Sequence, residues 1–255
     1  MVGGASINRQ LQQLSRKPQF IIGTPGRIKD LLENYGLKFD GFDSLVLDEA
    51  DRMLDMGFIR DIRTILSHFP GSRQTLFLSA TITPDIEQLI STILTNPETV
   101  SVRKGETSSH VEQDVVHYTG DRDAKEEKLF ELLTQPEFKK VLIFGETKWG
   151  VQKLADRLSA RGLKIEAIHG NKSQPQRQRA LNAFKDERVQ ALVATDVAAR
   201  GLDIPNVTHV INYDIPKVYE DYIHRIGRTG RAGQMGIALT FVPQGSQPFS
   251  SAPRR

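Results

Sequence analysis

Asp48, Glu49 and Asp51 follow directly on the apolar run Leu45-Val46-Leu47, so three carboxylates stand at the end of a short β-type segment. In a parallel α/β sheet that end of a strand faces the ligand crevice. Hard carboxylate oxygens there suit Mg²⁺, and a neighbouring carboxylate suits a base that orients or deprotonates water. The chemistry on offer is phosphoryl transfer to water. Acidic residues after an apolar strand also serve as turns or helix caps, so the pattern gains its meaning from the rest of the chain.

Four further segments accompany it: Thr24-Pro25-Gly26-Arg27, Ser79-Ala80-Thr81, Ala194-Thr195-Asp196 leading to Arg200-Gly201-Leu202-Asp203, and His224-Arg225-Ile226-Gly227-Arg228-Thr229-Gly230-Arg231. With Asp48-Glu49-Ala50-Asp51 read as a Walker B motif, the ordered set resembles the DEAD-box RNA helicases from Gly3-Gly4 to about Val242. The Asp-Glu-Ala-Asp form and the His-Arg-Ile-Gly-Arg-Thr-Gly-Arg form favour this family over DEAH-type and DNA-directed relatives.

The resemblance implies ATP and Mg²⁺ as cofactors and RNA as partner. It implies that Asp48 holds Mg²⁺, with Glu49 beside it as general base or water-positioning group and second metal neighbour. Asp51 resembles the residue that links this loop to Ser79 and Thr81, whose hydroxyls suit a hydrogen-bond relay; on residue types alone the same segment reads as an N-cap before a helix near Pro84. Arg228 and Arg231 resemble arginine fingers reaching a cleft from one turn, and otherwise read as a basic helix end. His224 resembles a coupling residue near the phosphates, Asp203 a ribose contact and Arg200 a cleft-bridging group. The RNA face implied by the family is Gly3, Gly4, Thr24, Gly26 and Arg27, together with Gln174, Arg177 and Thr195. Glycines admit phosphates close to the main chain, Thr and Gln bond backbone oxygens or 2′-hydroxyls, and Arg adds charge, so binding independent of base sequence is expected. Thr24 to Arg27 reads equally as a strand-to-helix turn, and Gly3-Gly4 as a frayed terminus.

A phosphate loop of the form G-x-x-x-x-G-K-[ST] is expected upstream of Walker B, and this sequence contains no Gly-Lys pair at all. Gly170-Asn171-Lys172-Ser173 breaks the pattern and reads as a loop into a helix. The adenine-reading Gln motif is likewise absent ahead of Gly3. The resemblance therefore implies a helicase truncated at its amino end, with a non-catalytic RNA-binding remnant as the alternative.

Positioning these residues requires a βα rhythm. Strand-like runs are expected at 20–22, 45–47, 75–78, 141–144, 165–168, 191–194, 207–211 and 237–242, with one-sided helices at 28–32, 86–94, 151–158, 177–184 and 219–226. The class is α/β with parallel sheets: two RecA-like domains by resemblance, the first incomplete. The expected boundaries are a partial ATP-binding domain at 1–104, a polar linker at 105–113, a helicase C-terminal domain at 114–243 and a disordered tail at 244–255. A chain of 255 residues with 38% hydrophobic content accommodates two modest cores. The absence of cysteine excludes disulfides and cysteine-based zinc sites. A formal charge of +3 fits a polyanionic partner only weakly. No apolar run reaches a membrane span and no secretory pattern opens the chain, so a cytoplasmic protein is expected.

Overall fold

Where β-rich apolar runs meet short capped helices, parallel strands form in both halves of the chain. The computed structural model describes residues 1–101, 110–199, 202, 204–231 and 233–246. The chain divides into two compact units, Met1–Val102 and Arg103–Arg255. No helix of the described residues is long and apolar enough to cross a membrane.

In the first unit α1 (Ile7–Leu14) and α2 (Pro25–Tyr35) precede β1 (Ser44–Leu47), α3 (Ala50–Asp55), α4 (Ile59–Ser67), β2 (Gln74–Phe77) and α5 (Pro84–Ile93). Helices α2 and α5 each begin with proline, whose missing N–H costs nothing in a first turn. Strands β1 and β2 pair in parallel from Ser44–Gln74 to Leu47–Phe77. The amide of Leu78 then donates to Leu47 O at 2.8 Å and that of Ala50 to Leu78 O at 3.0 Å, clasping the two strand ends together. Leu47, Ile62, Leu89 and Ile93 form one core cluster, and Ile28, Leu32, Phe39 and Ile65 another.

The strand expected at 20–22 does not form: Phe20 and Ile22 are 82% and 84% exposed. A strand exists through ladder bonds to a neighbour, and among the described residues of this unit only β1 and β2 pair.

The second unit runs β3 (Val111–Tyr118), α6 (Arg122–Leu133), β4 (Val141–Phe144), α7 (Lys148–Ala160), β5 (Ile165–Ile168), α8 (Gln174–Lys185), β6 (Ala191–Ala194), α9 (Asp196–Ala199), β7 (His209–Asn212), α10 (Tyr219–Ile226) and β8 (Gly236–Pro243). Its six strands are all paired in parallel, in the order β3-β8-β7-β4-β6-β5. Strands β4, β6 and β7 are buried at every position, as a parallel sheet covered on both faces requires. Alternation splits them between two cores: Val141, Ile143, Ala191 and Val193 pack with α6 and α7, while Leu142, Phe144, Leu192 and Ala194 pack with α8.

The linker expected at 105–113 ends earlier than its composition indicates, because Val111 already pairs with Gly236 and Gln113 with Ala238. Strand β3 lies at the sheet edge with three consecutive exposed polar residues, Glu112 to Asp114, so it shows no clean period of two. Of the tail expected from 244, Gln244 donates its amide to Tyr118 O at 2.9 Å. Residues 105–109 and 247–255 lie outside the described residues.

One side chain ties the second unit's strand ends together. Arg225 of α10 is 3% exposed; its Nε and Nη2 donate to the two carboxylate oxygens of Asp196 at 2.7 and 2.8 Å. Its Nη1 donates to Asn212 Oδ1 at 3.2 Å and to Asp214 O at 2.6 Å, and its guanidinium carbon lies 5.1 Å from the centre of the Phe144 ring. The Asp214 carboxylate in turn accepts from Lys125 Nζ and from the Glu146 amide, both at 2.9 Å.

Truncating one partner of such a buried pair leaves the other charge unpaired and costs about 3–5 kcal/mol. Arg225→Ala is expected to destabilise the second unit by that amount in urea unfolding. Arg225→Lys should recover little of it, because an ammonium cannot supply the fork of donors. Equal stability of Arg225→Lys and the parent chain would contradict this assignment.

Burial pushes the imidazoles of His169 and His209 below the ordinary value of 6.5, and Lys172, Arg177 and Lys148 depress His169 further. The unfolded chain takes up protons that these folded histidines refuse. Their contribution is therefore complete above pH 6.5 and is lost as pH falls through the lowered folded values. The urea midpoint of the second unit should fall with acidification through this window, and the His169→Gln, His209→Gln double variant should show a flatter dependence there.

Candidate functional site

The acidic loop after β1 and the loop after β2 are joined by one carboxylate. Asp51 is 7% exposed, and its Oδ2 accepts from the amides of Ala80 and Thr81 and from Thr81 Oγ1, each at 3.1 Å. Its Oδ1 accepts from the Arg52 amide at 2.9 Å. Ser79 Oγ donates to Thr81 O at 2.7 Å. The N-cap of α5 is Thr83 instead, so neither Ser79 nor Thr81 serves as that cap. Asp51, Ser79 and Thr81 thus lie in one network, with Asp51 bonded to Thr81 directly and Ser79 reaching it through a carbonyl.

Asp48 and Glu49 are both exposed at this edge. Glu49 precedes α3 at φ 51°, a left-handed conformation that a side chain enters at a cost and holds only when its surroundings impose it. Asp48 Oδ1 accepts the Glu49 amide at 3.0 Å, and Asp48 Oδ2 has no partner among the described residues. No group of three or more His, Cys, Asp or Glu side chains capable of holding a metal occurs among the described residues. Asp48 and Glu49 offer two exposed carboxylates, a donor set that fits Mg²⁺, an ion that takes one or two carboxylates from a protein when phosphate and water complete its shell.

Elsewhere in the first unit, Gly3 and Gly4 form an exposed turn with Gly4 at φ +76°. The turn is pinned by Gln10, a residue to which the sequence reading gave no role. Gln10 is 5% exposed; its Oε1 accepts from the Val2 amide at 2.9 Å while its Nε2 donates to Val2 O at 3.1 Å and Ala5 O at 3.3 Å. Thr24, the N-cap of α2, donates its amide to Met1 O at 3.0 Å, and Arg27 Nη1 donates to Ala5 O at 3.4 Å. These contacts bring Gly3, Gly4, Thr24, Gly26 and Arg27 together. Arg27 also faces Asp30 at 3.5 Å.

In the second unit Gln174 and Arg177 open α8, whose start is fixed by Gln176 Oε1 accepting the Ser173 amide at 2.8 Å. Arg177 Nε donates to Lys172 O at 3.0 Å, and Gln174 Oε1 is buried without a hydrogen-bond partner. Thr195, 7% exposed, follows β6 and donates its amide to Ile168 O at 3.3 Å. Thr195 therefore shares the carboxyl ends of β5 and β6 with the loop that leads into Gln174 and Arg177.

His224 lies in the last turn of α10, and Arg228 and Arg231 follow beyond the end of that helix. The helix ends at Ile226, and both arginines sit in the turn beyond Gly227. Arg228 Nη1 donates to Leu202 O at 2.9 Å, and Arg231 Nε donates to Gly227 O at 2.7 Å. That turn is held by close backbone packing. A Cβ on Gly236 would stand 2.1 Å from Thr229 Oγ1, and one on Gly230, at φ +66°, would stand 2.7 Å from His110 O. Thr229 Oγ1 donates to Val207 O. Arg200 and Asp203 lie outside the described residues. Arg225 was the unassigned member of this segment; its signal in the sequence was an arginine within the buried stripe Tyr222, Arg225, Ile226, at helical spacing.

Comparison with known proteins bears on the family of the chain. Residues 1–89 match the DEAD/DEAH box helicase family, and residues 124–233 match the helicase conserved C-terminal domain. The chain is 47% identical over 247 residues to the DEAD-box ATP-dependent RNA helicase CshA of Geobacillus kaustophilus, covering 94% of this chain and 51% of that protein. It thus spans about half the length of the curated relatives it matches. Among solved structures, a hypothetical ATP-dependent RNA helicase from Sulfolobus tokodaii is 35% identical with a TM-score of 0.52, over 96% of this chain and 70% of that one. S. cerevisiae Dbp5 bound to RNA and ADP BeF3 is 31% identical with a TM-score of 0.76, over 89% of this chain and 60% of that one. Two helicase families matched in order, and relatives that align along nearly the whole chain, leave one conclusion: the chain belongs to the DEAD-box RNA helicase family.

Proposed function

We propose that the chain carries the catalytic acidic loop and RNA-gripping surfaces of an ATP-dependent RNA helicase, which opens short duplexes or remodels RNA–protein complexes as ATP is hydrolysed. The observation that carries this reading is the Asp51 carboxylate, which holds the loop of Asp48 and Glu49 in register with Ser79-Ala80-Thr81. A change felt at one loop is thereby felt at the other.

Within this reading the domains are a partial ATP-binding domain at 1–104, a linker and a helicase C-terminal domain to 243. Asp48, with Glu49 beside it, would hold Mg²⁺, which would supply neutralisation of phosphate charge. Glu49, kept at the strand edge by its left-handed backbone, orients or deprotonates the attacking water. Arg228 and Arg231 act on charge at the transferring phosphoryl, His224 and Asp203 contact the nucleotide, and Arg200 bridges toward it. Gly3, Gly4, Thr24, Gly26 and Arg27 form one RNA-backbone surface, and Gln174, Arg177 and Thr195 a second. RNA binding without base readout follows from this set, and the cytoplasm is the setting proposed for it.

A second reading rests on the sequence in hand, which contains no G-x-x-x-x-G-K-[ST] loop. Without that phosphate cradle these 255 residues bind RNA and do not turn over ATP.

Two measurements test these readings. Phosphate release by this chain with ATP, Mg²⁺ and RNA should match that of Glu49→Gln; turnover well above that variant would show that another group cradles the phosphates. Arg177→Ala should weaken RNA binding and make the log–log salt slope shallower by about one unit, the signature of one lost phosphate contact. An unchanged slope would remove Arg177 from the RNA surface.

A further inference from the structure

The first turn of α7 carries Lys148 and Trp149, neither of which belongs to the motifs above. Trp149 is the chain's single tryptophan and is 77% exposed. An indole normally buries most of its surface, so one left bare calls for a partner. Three residues along the same helix, and hence on the same side, Gln152 Oε1 meets His169 Nε2 at 2.8 Å. This places Trp149 one turn from the contact that anchors α7 to the end of β5, and next in sequence to Lys148, which approaches the loop into Gln174 and Arg177 at Gly170.

Cations outnumber acids in the surroundings, where Asp156 accepts from Gln152 Nε2 at 2.7 Å and Glu146 pairs with Lys217 at 2.8 Å. A Cβ on Gly170 would meet Lys148 Cε at 3.3 Å and Nζ at 3.7 Å, so the bare glycine leaves room for the lysine to lie along the loop. Lys148 has no acidic partner among the described residues, and Lys172 reaches Glu166 only at 3.5 Å. Arg177 bonds a carbonyl with its Nε, leaving its charge uncompensated by a carboxylate. His169 is 5% exposed within this cluster, and its Nδ1 has no hydrogen-bond partner. The residues flanking the indole are Lys148, Gly150 and Lys153 rather than further apolar side chains. One aromatic face among lysines and an arginine is the composition of a single-stranded nucleic-acid site, where charge follows the backbone and an aromatic ring receives a base.

We propose that Trp149 stacks on a nucleobase of the bound RNA strand, extending the surface of Gln174, Arg177 and Thr195 by one nucleotide. The inference rests on the RNA-binding reading above and adds a contact of a different physical kind. Stacking uses the π-face common to all bases, so it adds affinity without sequence preference. It releases no counterions, so it leaves the salt slope unchanged.

The single tryptophan makes the test direct. The 255-residue chain is titrated with oligouridylate while Trp149 emission is recorded, and in parallel with the same RNA carrying fluorescein, read by anisotropy. Emission should quench with the same midpoint as the anisotropy change. Trp149→Ala should weaken binding about ten-fold with the salt slope intact, and Trp149→Phe should restore most of the loss. Because the side chain is exposed, the Trp149→Ala chain should keep the parent urea midpoint, which separates lost contact from lost fold. RNA binding seen by anisotropy with unmoved emission and unchanged Trp149→Ala affinity would overturn this inference while leaving the RNA-binding reading standing. No anisotropy change with the parent chain would overturn that reading, and this inference with it. Emission that follows protein concentration instead of RNA would assign the indole to a second copy of the chain and likewise overturn the proposal.

Discussion

The second unit depends on a cation placed where the sheet would otherwise exclude one. Arg225 projects from α10 into the layer above Phe144 and supplies donors to Asp196, Asn212 and the Asp214 carbonyl. Those partners sit just after β6, at the end of β7 and just after β7. A buried guanidinium is costly to desolvate, and only a set of acceptors this complete offsets that cost. The geometry that satisfies Arg225 therefore also dictates where the ends of β6 and β7 lie relative to α10. Thr195 precedes Asp196 and Arg228 follows Arg225 by three positions, so both inherit their places from this one network.

The sheet below supplies the rigidity that such a network needs. Central strands with no exposed position divide their side chains between two cores, and each core is closed by helices on its own side. Polar groups then collect at the carboxyl edge, where the ladder ends and backbone donors and acceptors need new partners. Glycines 230 and 236 let two backbone segments approach closer than any side chain allows, setting the turn of Arg228 and Arg231 against β3 and β8. Packing and site geometry are thus one constraint seen from two sides.

The first unit solves the same problem with less sheet. Two paired strands leave Val46, Leu76 and Leu78 partly exposed, so its loops are organised more by hydrogen bonds than by an enclosing core. Asp51 spans two loops with one oxygen, and Gln10 holds the Gly3-Gly4 turn with both ends of its amide. Each is a short polar side chain buried with its bonds satisfied, which is what makes it specific to one backbone arrangement.

Motif order alone determined the family, and apolar periodicity determined the α/β class and most of the strands, because both are properties of neighbouring residues. Chemistry-bearing types such as Asp48, Glu49 and the arginines after His224 could be nominated the same way. What periodicity misjudged was long-range: the run at 20–22 has strand composition but no ladder partner, and β3 has weak composition yet pairs fully along β8. Pairing joins residues more than a hundred positions apart, and no local pattern encodes it. The same holds for Arg225, Gln10 and His169, ordinary polar residues in sequence whose burial and partners arise only when distant elements meet. The tertiary structure alone decided which backbone groups hold Arg228 and Arg231 beyond the end of α10, and that Trp149 stands in water next to Lys148.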